Sequence, residues 1–136
     1  MGEPVHDNRL LGYEVGHAAR ELRLRTEYPH SDPPERTDMV FAGVAAYGFR
    51  HDALALGTII FSVEEVDPVS ITRECAAEFA KGLPYGWPGD WARSTETAAA
   101  FFESEGIRGY EISSSLGLNG WVLATSVRYE PGEQAG

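Results

Sequence analysis

The stretch from Thr37 to Val66 constrains this chain more than any other. In its first part the odd positions Met39, Phe41, Tyr47 and Phe49 are large, while the even positions Val40, Ala42, Val44 and Ala46 are small. Successive side chains of a strand point to opposite faces. A run that is apolar on both faces therefore predicts a central strand covered on each side, by bulk on one and by something close on the other. A second run follows a polar break. Ile59, Phe61 and Val63 share one face, opposite Thr58, Ser62 and Glu64, which suits a neighbouring strand with one wet side. The two runs are read as the nucleus of a sheet.

Before them, Leu11, Tyr13 and Val15 share a face, and Leu22, Leu24 and Tyr28 alternate with Glu21, Arg23, Arg25 and Glu27. The short link between these segments predicts a hairpin with a charged outer face. Thr26 is assigned to the outer hairpin, where alanine should be nearly silent. Pro29 to Arg36 holds three prolines and reads as a loop.

After Val66, Asp67-Pro68 supplies a cap and a first-turn proline, and Ile71, Cys75 and Phe79 form a stripe at helical spacing. Gly82 is expected to end this helix in the left-handed conformation. A second helix is predicted from Ser94 or Thr95 to Glu105. It buries Ala98, Phe101 and Phe102, and Gly106 stops it with Ile107 folded back on Phe102. Arg108 to Ser115 reads as a strand, Asn119-Gly120 as a turn, and Trp121 to Tyr129 as one last strand. Strands and helices grouped in this way predict an α+β fold. The expected form is a mostly antiparallel, curled β-sheet of about six strands, with two helices inserted between strands four and five. At 136 residues the chain suits a single domain over 1–136, with about 1–8 and 131–136 expected to fray.

Charge narrows the function classes. The net charge of −10 repels phosphate backbones, and the densest basic stretch, Arg20 to Arg25, is interrupted by glutamate and leucine. Nucleic acid is therefore an unfavourable partner, whereas an acidic surface either steers a basic protein or serves only to keep the chain soluble. No apolar run approaches the roughly 20 residues of a membrane helix, and Met1 to Arg9 has no signal-peptide segment. One cysteine excludes an internal disulfide framework. The expected location is cytoplasmic, away from any membrane.

Few residues suggest chemistry. His6-Asp7 and His51-Asp52 lie in predicted loops without a third ligand at motif spacing, and His17 and His30 fall in turns, so no metal is expected. Cys75 sits mid-stripe and reads as a buried packing residue. Ser113-Ser114-Ser115 lacks the glycine-flanked turn of a hydrolase nucleophile. Glu64-Glu65 and Glu103 with Glu105 read as solvated faces. No catalytic residue and no cofactor are assigned. The unusual stretch is Tyr85-Gly86-Trp87-Pro88-Gly89-Asp90-Trp91. Its aromatics either fold over the helices as a lid or face outward as anchors for a partner, with Asp90 available to a basic group. Tyr85, Trp87, Asp90 and Trp91 are the candidate partner-binding residues.

Val5-His6-Asp7, the hairpin with Leu22-Arg23-Leu24, and Phe41-x-Gly43-Val44 together resemble small bacterial proteins, among them immunity-type proteins that neutralise a toxin from the same locus. The resemblance covers residues 5 to 66. It implies a sheet-rich, acidic, non-enzymatic protein that works by binding another protein, and it brings no catalytic residues with it. The rival expectation is a small-molecule-binding or hydrolytic domain with a pocket near Trp87 and Trp121.

Overall fold

Two coincident bends set the architecture of this chain. The structure is a computed structural model that describes residues 5, 7–51, 60–114 and 118–133. Expectations placed on His6, Asp52, Thr58, Ile59, Ser115 to Gly117 and the ends of the chain lie outside the described residues.

Strands β1 (Arg9–Gly16), β2 (Glu21–Tyr28), β3 (Glu35–Ala42) and β4 (Ala46–His51) precede β5 (Ile60–Val66). Helices α1 (Pro68–Glu74), α2 (Ala76–Gly82) and α3 (Thr95–Glu105) follow, then β6 (Arg108–Ser114), β7 (Leu118–Ala124) and β8 (Ser126–Pro131). All pairings are antiparallel. They build two four-stranded sheets, one in the order β1-β2-β3-β8 and the other in the order β4-β7-β6-β5. The α+β class and the antiparallel pairing are as the sequence predicts. The single curled sheet of about six strands, with two helices after the fourth, is not. Among the described residues there are eight strands in two sheets, with three helices after the fifth strand.

The count differs because two long alternating runs each break in the middle. Gly43 has φ +61°, and a side chain there would collide with Thr125. Thr125 donates to the Ala42 carbonyl through both its N–H and its Oγ1, each at 2.9 Å. Both chains therefore leave one sheet for the other at the same point, where only glycine accepts the backbone angle and the close approach. Alternation passes through the first break unchanged: Met39, Phe41, Tyr47 and Phe49 all pack between the sheets. In the second run the facing reverses. Trp121 and Leu123 turn to the helices, and Val127 and Tyr129 to the space between the sheets. Nor are the two runs of Thr37 to Val66 neighbours, since β3 lies in the other sheet and β4 and β5 hold opposite edges of theirs.

Two cores result. Leu22, Leu24, Met39 and Phe41 meet Ile112 and Val122 between the sheets, with the Phe41 and Tyr110 rings 5.3 Å apart. On the other face of the second sheet, Ile71, Cys75, Phe79 and Phe102 pack on Ala46 and Leu123. The layers run sheet, sheet, helices. Each fully buried large apolar side chain contributes on the order of 1.5–3 kcal/mol of transfer free energy.

Local signals hold with three corrections. Ser94 and Thr97 form the reciprocal cap of α3, Gly106 is left-handed, and the Ile107 N–H reaches the Phe102 carbonyl at 2.9 Å. The stripe from Ile71 to Phe79, however, is split at Cys75 into α1 and α2. Gly82 is right-handed, and the chain turns once more as a 3₁₀ turn, Leu83–Tyr85, before the left-handed Gly86 at φ +82°. Asn119-Gly120 lies inside β7, where the Asn119 side chain accepts the Ser114 N–H. Ladder pairing on both sides outweighs its turn preference.

The outer face of the first sheet is a lattice of ion pairs. Glu27, nearly buried, takes Arg9 and Arg36 on its two oxygens. Arg23 bridges Asp38 at 2.7 Å and Glu130 at 3.1 Å, Arg25 holds Glu14, and Arg128 joins Glu130 to Glu21. Arg9, Arg23, Arg25, Arg36 and Arg128 thus meet Glu14, Glu21, Glu27, Asp38 and Glu130, five cations against five anions. This face is neutral, so the acidic excess lies elsewhere. Thr26 is not on it. It points inward, fully buried, accepting from Asn8 at 3.0 Å and donating to the Thr37 carbonyl at 2.6 Å. Its place between Arg25 and Glu27 puts it in register with Leu22 and Leu24.

Candidate functional site

The loop between α2 and α3 separates its aromatics. Gly82, without a side chain, lets Trp87 pack directly against the end of α2. The Trp87 N–H also closes on the Gly82 carbonyl at 3.0 Å. A second 3₁₀ turn, Asp90–Arg93, leads into α3. Trp91 is anchored there. Its ring stacks on Phe101 at 5.3 Å and 4°, and its carbonyl accepts Thr97 Oγ1 at 2.8 Å. Trp87 touches Phe79 edge-on at 5.3 Å but remains 40% exposed. Tyr85, 89% exposed, stands in solvent. Asp90 is exposed and pairs with Arg93 at 3.2 Å.

The four candidates therefore divide, with Trp91 packed on the helices and Tyr85, Trp87 and Asp90 exposed. Trp91 is a lid on the helices, Tyr85 and Trp87 face outward, and Asp90 lies at the start of the second 3₁₀ turn. Trp121 packs over Gly48 in the helix-facing core, with Phe79 in ring contact with both it and Trp87.

Trp87 forms one wall of an open cleft of about 530 Å³. The opposite walls come from the β1–β2 turn and the bend after Gly43. Val15, Leu22, Val44 and Tyr47 make it apolar, and His17, Arg20 and Glu21 bring polar groups to it. Trp121 does not line it. The turn is pinned to the bend by the Val44 N–H, which donates to the Arg20 carbonyl at 2.9 Å. Arg20 has φ +54°, a left-handed angle that costs a residue with a side chain on the order of 1–2 kcal/mol. Strain of this kind in a cleft wall is a reason to examine the side chain it carries.

Elsewhere, several titratable groups are shifted by their surroundings. Cys75 is buried, as the sequence predicts, and burial pushes its thiol up to about 12, with Glu78 adding to the effect, which disfavours the thiolate. Hydrogen bonds from Arg9 and then Arg36 hold the Glu27 carboxyl below its ordinary value. Arg128 and Arg23 do the same to Glu130. Among the described residues no three His, Cys, Asp or Glu side chains converge as metal ligands, and no helix is long and apolar enough to cross a membrane.

Sequence reading missed His17, Arg20 and Tyr47 as one site. They lie on separate elements with no shared spacing, and the one local signal, a non-glycine residue in a left-handed turn, is visible only in the backbone. Comparison with protein-family models, curated proteins and solved structures finds no match to this chain.

Proposed function

We propose that this chain is a non-enzymatic binding protein that captures a partner polypeptide at the corner made by Tyr85 and Trp87. This is the mode of action of the immunity-type proteins that residues 5 to 66 resemble. One observation carries the reading: the loop that stacks a half-buried Trp91 on Phe101 leaves Tyr85 and Trp87 exposed. Aromatic anchors on a loop already fixed from behind lose little freedom on binding, which favours recognition. The helical layer behind them carries Glu74, Glu78, Asp90, Glu96, Glu103 and Glu105 against Arg73, Lys81 and Arg93. That acidic surface complements a basic partner and speeds its encounter.

The test is capture of the protein encoded beside this chain's gene, by the native chain and by Tyr85→Ala and Trp87→Ala. Both variants should weaken capture by more than about tenfold, the scale of a binding hot spot. Undiminished capture by both would sink the proposal. A second reading, small-molecule binding, is favoured by the cleft beside Trp87, whose 530 Å³ falls within the usual range of ligand sites.

A further inference from the structure

We infer that the cleft between the β1–β2 turn and Trp87 binds a small organic anion with a flat apolar body, its charge held by Arg20. The inference rests on the small-molecule reading of the cleft, which shares Trp87 with the proposed corner but not Tyr85, since Tyr85 does not line the cleft.

The walls select the body of the ligand. The Trp87 ring, already fixed edge-on to Phe79, and Tyr47 with Val15, Leu22 and Val44 offer a slot suited to a planar apolar group. The polar groups select its charge. Glu21 is the acid in the lining, and its Oε2 accepts Arg128 Nη2 at 3.1 Å, so its charge is already countered. Arg20 makes no ion pair among the described residues, and neither do Arg73 and Lys81, which lie away from the cleft, whereas Arg9, Arg23, Arg25, Arg36, Arg93, Arg108 and Arg128 all do. In a chain of net charge −10, a guanidinium left without a carboxylate beside an apolar slot is a local exception to the overall field. Its planar fork matches the paired oxygens of a carboxylate or sulfonate. His17, in the same lining, can add a ring N–H donor.

The backbone points the same way. Glycine would occupy φ +54° at position 20 without strain, yet the chain places its long cation there. Two hydrogen bonds fix its root, from its own N–H to the His17 carbonyl at 3.3 Å and from the Val44 N–H to its carbonyl at 2.9 Å. Strain is accepted where a glycine would relieve it, which fits a side chain retained for binding.

The experiment uses two fluorescent probes with the same flat body. Anilinonaphthalene sulfonate carries an anion, and phenylnaphthylamine lacks it. The native chain should bind the sulfonate about tenfold tighter or more, the scale of a charge-assisted hydrogen bond. Arg20→Gly should remove that preference while its melting temperature stays level or rises, a combination that a merely structural arginine would not give. Arg20→Lys should keep part of the preference, and Trp87→Ala should weaken both probes. Equal affinity for the two probes, sulfonate affinity unmoved in Arg20→Gly, or no binding of either would overturn the inference. Tyr85→Ala should leave both probes untouched. Loss of probe binding in that variant would place the site at the corner and overturn the inference too, whereas loss of polypeptide capture alone bears only on the proposed function.

Discussion

The outer face of the first sheet and the cleft at its end use the same kinds of residues in opposite ways. On the sheet face each arginine meets a carboxylate, and Glu27, almost without solvent, has a cation on each oxygen. At the cleft, Arg20 meets none among the described residues, and the neighbouring Trp87 is left partly in water. A satisfied lattice has nothing left to offer a ligand. Unspent donors and apolar area at the cleft are what a ligand or partner would use. Exposed ion pairs individually contribute little, so the lattice acts chiefly to order the face and neutralise it.

The deepest way to break this contrast is to remove the floor under the charged face. Phe41→Ala should cost roughly 3–5 kcal/mol, read by chemical denaturation, because the ring is fully buried between the sheets. An unchanged midpoint would mean that the two sheets do not share the core described.

The aromatic loop gives a graded series. Trp91→Ala, which loses contacts to Phe79, Phe101 and Phe102, should cost about 3 kcal/mol. Trp87→Ala should cost about 2 kcal/mol, less because much of its ring is already solvated. Tyr85→Ala should stay within about 0.5 kcal/mol of the native chain. Trp87 is thus both packing and surface, and Tyr85 is the cleaner probe of recognition. Equal melting temperatures for the three variants would erase the distinction between lid and anchor.

Thr26→Ala should cost about 1–2 kcal/mol, since it strands the buried Asn8 amide and the Thr37 carbonyl. A silent substitution would return Thr26 to the outer face.

Acid sharpens the contrast with the smallest effect. Glu27 and Glu130 hold their carboxyls below the ordinary value, so in the unfolded chain they take protons at about pH 4.3 while the folded chain still resists. Their stabilisation is complete above that range and is lost as pH falls through it toward the lower folded values. The double variant Glu27→Gln/Glu130→Gln should therefore show a flatter loss of urea midpoint between neutral pH and about pH 3. Parallel loss in native and variant chains would show that the pairs do not act.

By itself the sequence determined the class of fold, the hairpin of β1 and β2, the start and stop of α3, the packing role of Cys75 and the charged outer edge of Glu21 to Glu27. These rest on signals carried within a few residues: alternation, capping side chains and left-handed glycines. It also marked the aromatic loop, though not how that loop divides. Tertiary structure alone decided the rest. The bend at Gly43 was invisible because alternation keeps its phase from Met39 to Phe49 while the strand changes sheets. Thr125 hid the matching bend because a threonine continues a strand pattern as readily as it closes a corner. The cleft was beyond reach for a plainer reason. Arg20, Tyr47 and Trp87 stand far apart along the chain, and only the docking of the β1–β2 turn on the bend brings the three into the lining of one cleft.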